Sequence, residues 1–151
     1  MAVTVFSWAT PAAIQTALST EWNSLANGNT VLSAAIDNST TGALYISVSF
    51  HLGSITTGAG APYIGLWLLS SIDSGTTYED GTAGAPGVIN PRPADIIIPL
   101  RASFLGVQDV NAVNVPAPPY NFKILGYSQA GATLAATLNT TKYRLHNEIG
   151  T

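Results

Sequence analysis

Residues 43–52, ALYISVSFHL, alternate between apolar and polar side chains, and this period of two constrains the chain more than any other feature. Successive side chains of a strand point to opposite faces. Leu44, Ile46, Val48, Phe50 and Leu52 therefore share one face, and Tyr45, Ser47, Ser49 and His51 share the other. Further strands are expected over 30–36, 63–71, 95–101, 104–107, 110–115, 120–127, 133–138 and 142–146, because clusters of glycine, proline and asparagine separate these runs. No alternation of strands with long helices is visible, which argues against a parallel α/β sheet. The expected fold is mainly β: a jelly-roll-like antiparallel β-sandwich with at most one short N-terminal helix. All 151 residues fit one domain, with 1–10 as an extended N-terminal arm.

The one helix is expected after Thr10-Pro11, an N-cap followed by proline at the first helical position. Ile14, Leu18, Trp22 and Leu25 follow at steps of four, four and three, and Asn27-Gly28 supplies a stop. Thr16, Ser19 and Thr20 weaken that helix. The longest irregular stretch is 74–93, rich in Gly, Ala, Thr and Pro; loops of that length are usually functional or mobile.

Only 9% of residues are charged, against about 25% in ordinary soluble domains. Disorder does not account for this, since 46% of the chain is hydrophobic. Small neutral residues stand where charges usually do, and such a surface costs little to desolvate. Isolated sandwiches blunt their edge strands with lysine, yet this chain has only Lys123 and Lys142. Its edges must be covered, either by neighbouring subunits or by its own proline-rich loops. A homo-oligomer, with a trimer favoured, is the expectation. The net charge of −3 and five scattered basic residues offer no stripe for nucleic acid and no basic face for a membrane. Neither a signal peptide nor a spanning segment is read in the sequence.

Several motifs invite a chemical reading. Residues 126–131, GYSQAG, look like the nucleophile elbow of cutinase-type hydrolases, with Ser128 as nucleophile. Ala130 replaces the usual second glycine, and no acid lies between Ser128 and His146. A hairpin turn with Ser128, Gln129 and Gly131 as turn formers is the better reading, and no catalytic residue is expected. Residues 70–78, SSIDSGTTY, through Ser71, Asp73, Gly75 and Thr77, resemble the Asp-box of sialidases, with Tyr78 in place of its tryptophan. There Asp73 is expected to accept backbone hydrogen bonds across a turn while Gly75 takes a positive φ. Calcium on Asp73, Glu79 and Asp80 is the weaker alternative, since exposed acids are usually just solvated. His51 and His146 have no companions for zinc, so no metal and no cofactor are expected. Asn38-Ser39-Thr40 and Asn139-Thr140-Thr141 match the glycosylation pattern but read more simply as turns. Pro116, Pro118 and Pro119 lead into a strand in which Tyr120, Phe122 and Ile124 alternate.

The order of these pieces resembles small virion proteins of tailed phages. The matching residues are LSTEWNSLANG, AIDNST, the alternating strand to Leu52, SSIDSGTTYEDG, IIIPLRA, PPYNFKILGYSQAGATLA and NTTKYRLHNE. Where the family pattern has glycine directly after aspartate, this chain has Ser74-Gly75, so that turn is a residue longer. The resemblance implies a trimeric jelly roll that decorates or cements the capsid by binding the major capsid protein. It places the protein on the virion surface after synthesis in the host cytoplasm. The alternative is a carbohydrate-binding or adhesin-like module of a fibre or virion surface, with Trp8, Trp22, Trp67 and the tyrosines as stacking faces. The uncharged arm is expected to be buried on both faces, within its own sandwich or in a neighbour's groove, with Phe6 and Trp8 as candidate subunit or capsid contacts.

Overall fold

In the computed structural model of the chain, residues 6–8, 10–79 and 89–150 are described, and for 6–8 and 148–150 the description covers the backbone only. The strands are β1 (Phe6–Trp8), β2 (Gln15–Leu18), β3 (Thr30–Leu32), β4 (Ile36–Asp37), β5 (Tyr45–Thr56) and β6 (Tyr63–Ser70). They continue with β7 (Ile96–Pro99), β8 (Leu105–Pro116), β9 (Asn121–Gln129), β10 (Thr140–His146) and β11 (Glu148–Gly150).

One sheet has the order β2-β10-β5-β8, and the other has β3-β9-β6-β7 with β4 also on β9. Among the described residues the pairings are antiparallel, and within these two sheets five of them nest: β2 with β10, β3 and β4 each with β9, β5 with β8, β6 with β7. Successive nested pairs fall in alternate sheets. This is the rolled double ribbon of a jelly roll, so the sandwich expected from the alternating pattern is the one observed.

The core lies between the sheets. From β5 it takes Ile46, Val48, Phe50 and Leu52, all at most 2% exposed, as the alternation demands. Leu44 is the exception and lies exposed, because Ala43 takes the inward position at the strand's entry. Ile64, Leu66 and Leu68 of β6 and Phe122 and Ile124 of β9 close the core from the opposite sheet. Each such side chain contributes about 1.5–3 kcal/mol on burial.

The second sheet is covered on its outer face as well. Trp67 and Leu69 of β6 and Leu125 of β9 form a separate buried cluster with Tyr78. That explains the unbroken apolar run YIGLWLL, since a strand buried on both faces loses its alternation. The described ends of the long irregular stretch supply this cover. Lys123 lies over the Tyr78 ring at 4.5 Å, and the Trp67 Nε1 donates to the Arg92 carbonyl at 2.8 Å.

Four expectations fail. The helix after Pro11 is replaced by the edge strand β2 and a single 3-10 turn, Thr20–Trp22. Leu18 and Trp22 are buried as the stripe requires, but Ile14 is 59% exposed. Pairing with β10 outweighs a helical tendency already weakened by Thr16, Ser19 and Thr20. Residues 133–138 form a loop and not a strand. Its backbone is held by Leu134 N–H to Leu25 O at 2.9 Å and Ser24 N–H to Ala135 O at 2.9 Å, which leaves no ladder to join. Ser128 and Gln129 belong to β9, so the turn begins only at Ala130. The runs 104–107 and 110–115 are also one strand, β8, which bulges near Asn114, where φ is +58°.

The backbone of the N-terminal arm, Phe6–Trp8, pairs antiparallel with β11. The side chains of Phe6 and Trp8, with residues 1–5 and 9, lie outside the described residues.

Candidate functional site: the outer face of the first sheet

The outer face of the β2-β10-β5-β8 sheet is the side of the sandwich on which the alternation sends polar groups outward. On β10, Lys142, Arg144 and His146 point outward while Thr141 and Leu145 point in. The register sets Lys142 opposite Ser49, Arg144 opposite Ser47 and His146 opposite Tyr45. On the other side of β5, Ser49 lies opposite Asn111 and His51 opposite Asp109. Three strands thus bring basic, hydroxyl and amide groups side by side.

Both ends of this face are ordered by contacts. At one end His51 Nδ1 meets Asp109 Oδ1 at 2.6 Å. At the other, His146 stacks on Tyr45 with ring centroids 5.8 Å apart, and its Nε2 lies 3.0 Å from Asn114 Oδ1. The bulge in β8 swings Asn114 into that position, a common use of bulges beside binding sites. Between the ends lies a groove of about 330 Å³, walled by Ser47, Ser49, Asn111, Lys142 and Arg144, with Ile14 and Val113 as apolar contributions. Ile14 is exposed because it belongs to this wall.

The far edge of the same sheet is β8, twelve residues long, with no strand beyond it among the described residues. Leu105, Val107 and Val113 are 70%, 47% and 67% exposed along it, and Asp109 is its only charged residue.

The residues singled out in the sequence scatter over the fold. Ser128 is fully buried within β9, and its Oγ has no hydrogen-bond partner, whereas His146 stands on the other sheet. The two are not brought together. Trp22 and Trp67 serve the interior and present no stacking face. The Asn38 amide is buried and bonds Ala43 O at 2.8 Å and Pro118 O at 2.7 Å. Asn139, also buried, accepts from Gly53 N–H at 3.0 Å and donates to Ala135 O at 2.7 Å. Both act as loop clasps.

The Asp73 turn forms as its residues suggest. Asp73 Oδ1 accepts from Thr77 N–H at 2.8 Å, Thr76 N–H at 3.1 Å and Ser71 Oγ at 2.7 Å, and Oδ2 accepts from Thr77 Oγ1. Ser74 and Gly75 both take positive φ, 59° and 89°, which accommodates the extra residue. Glu79 is spent on Ser70 and Arg92, and Asp80 lies outside the described residues, so a calcium cage on these three acids finds no free carboxylate in Asp73 or Glu79. Among the described residues no three His, Cys, Asp or Glu side chains group to hold a metal ion.

The Thr77 hydroxyl first, then the Thr77 amide and Ser71, hold the Asp73 carboxyl well below the usual carboxylate range. A depressed native pKa means that the turn's contribution is present above the unfolded value, about 3.9, and is lost as pH falls through the native one. Asp73→Ala should therefore lower the melting temperature at pH 7 by an amount that holds to about pH 5 and shrinks below about pH 4. Asp73→Asn should recover part of it, because one acceptor oxygen survives. Melting curves across that range check this; an Asp73→Ala deficit that does not change with pH would refute the assignment.

A scan of protein-family models finds no match to the chain, and neither does a search of curated proteins.

Proposed function

We propose that the protein is a structural subunit that acts by assembly, as a homo-oligomer, most specifically a trimer, that decorates or cements a tailed-phage capsid. The observation that supports assembly most is the β8 edge, which carries exposed Leu105 and Val107 and no lysine or proline within its first eleven residues. A long edge with a single charge is a template for pairing, and proteins that stay monomeric blunt it. A closed ring of copies satisfies such an edge without leading to open fibres. The jelly roll is shared by viral capsid domains and lectins, so the fold agrees with the phage resemblance by analogy.

Sedimentation at micromolar concentration is the test of assembly. The native chain should run as an oligomer, and Leu105→Lys with Val107→Lys should run as a folded monomer, since two lysines on an edge repel a second copy. A native monomer, or a double variant that still assembles, would overturn the edge reading. The capsid step is tested by co-sedimentation with shells of the cognate major capsid protein, which the oligomer should bind and protect from heat.

A second reading, a sugar-binding module, is favoured by one observation, the groove on the outer face of the β2-β10-β5-β8 sheet, where polar and basic side chains stand beside a largely apolar lining.

A further inference from the structure

Three of the five lysines and arginines are engaged within the fold. Arg92 pairs with Glu79 and Asp95, Arg101 lies 5.0 Å from the Phe104 ring centroid, and Lys123 lies over Tyr78. The other two, Lys142 and Arg144, stand two residues apart on the outward side of β10. Neither has an ion pair among the described residues. The Arg144 Nε is also buried, without a hydrogen-bond partner. A buried donor left without an acceptor destabilises the fold, and more so when the group is charged. A chain this poor in charge has placed two of its cations in one groove and left one of them short of an acceptor.

We propose that this groove binds a carboxylate-bearing sugar, a uronate or similar acidic unit. The planar guanidinium of Arg144 suits a carboxylate, and Lys142, one level along the strand, adds a second donor. Ser47, Ser49 and Asn111 supply donors and acceptors for ring hydroxyls, while Ile14 and Val113 offer apolar surface to ring C–H groups. A volume of about 330 Å³ suits one or two sugar units. Two cations do not make the stripe that a nucleic-acid backbone needs. The apolar surface beside two serines and an asparagine distinguishes the site from a bare anion hole. This inference rests on the sugar-binding reading of the groove and stands apart from the capsid reading, since a protein that failed to bind capsids could still bind the sugar.

The test is a titration of the ¹⁵N-labelled full chain, at constant ionic strength, with glucuronate, glucose, acetate or a short polyglutamate peptide. Glucuronate should shift the amides of 47–49 and 142–146 saturably, with a Kd on the order of millimolar. Glucose and acetate should each bind at least about tenfold more weakly, because each lacks half of the contacts. Lys142→Gln and Arg144→Gln should each weaken glucuronate binding by about fivefold or more. Lys142 is exposed, so its variant reports on the site even if Arg144→Gln perturbs the sheet. Absence of saturable shifts with glucuronate, or unchanged binding in Lys142→Gln, would overturn the proposal. Acetate binding as tightly as glucuronate would remove the sugar, and peptide binding in its place would make the ligand a protein.

Discussion

Gly126→Ala is expected to destabilise the protein by about 3 kcal/mol and to lower its melting temperature by roughly 6–12 °C. Gly126 sits on β9 where alternation calls for an inward side chain, between Ile124 and Ser128. The Trp22 indole fills that space instead. A Cβ on Gly126 would lie 2.3 Å from the Trp22 Cη2 and 2.4 Å from its Cζ2. The ring has little freedom to yield. Its Nε1 donates to Thr141 Oγ1 at 2.9 Å in the interior, and its ring meets Phe50 in a T-shaped contact at 5.4 Å between centroids. A methyl group must therefore displace either β9 or the indole. Trp22→Phe removes the two clashing atoms and leaves a void that a methyl group can partly fill. On that background Gly126→Ala should cost less than about 1 kcal/mol, giving a coupling energy of about 2 kcal/mol in a double-mutant cycle. Urea denaturation of the four proteins measures it. Equal cost on both backgrounds would mean that the indole does not press on Gly126.

That pair shows what the sequence could and could not convey. The alternation of β5 is local, and four of its five expected core residues are in the core. The glycine at an inward position of β9 was also visible, but its occupant comes from a turn about a hundred residues earlier. Spacing alone read Trp22 as part of a helical stripe. The same spacing arises when an edge strand ends in a 3-10 turn, and only the pairing with β10 distinguishes the two. Nested pairing decides the fold, yet it depends on registers between strands as far apart as β2 and β10, which no local period encodes.

The groove was half legible for the same reason. Ser47 and Ser49 predict a polar face on β5, whereas the basic residues read as scattered, although Lys142, Arg144 and His146 stand at intervals of two on β10. Their meeting requires β10 and β5 to be neighbours, with Asn111 beyond them on β8. The Asp73 turn was readable because all its partners lie within four residues. Burial of Ser128 was not readable from its motif: GYSQAG names an exposed turn in one fold and the inward end of a strand in this one.

Arg92→Ala is the other substitution with a large expected effect, about 2 kcal/mol at pH 7, from the loss of charge-assisted hydrogen bonds that are only partly shielded from water. Its Nε donates to Glu79 at 2.9 Å, one terminal nitrogen to Asp95 at 2.6 Å and the other to Leu68 O at 3.1 Å. The carboxylates hold β6 in turn, Asp95 accepting from Leu68 N–H and Glu79 from the Ser70 hydroxyl. Residues 79 and 92 thus clamp both described ends of the long irregular stretch onto the outer face of the second sheet. Partial burial alone would raise the Glu79 carboxyl, but the hydrogen bonds from Ser70 and Arg92 outweigh it and hold it below the ordinary value. Glu79 therefore stabilises the fold above its unfolded pKa, about 4.3, and that contribution is lost as pH falls through the lower native one. Removing Arg92 leaves two partly buried carboxylates facing each other without a cation, a penalty that protonation relieves. The gap in urea midpoint between wild type and Arg92→Ala should be wide at pH 7 and narrow toward pH 4. Arg92→Lys should recover less than half of it, because an ammonium cannot span three acceptors in the guanidinium's plane. A lysine variant as stable as wild type, or a gap that persists into acid, would show that the fork does not hold this cover in place.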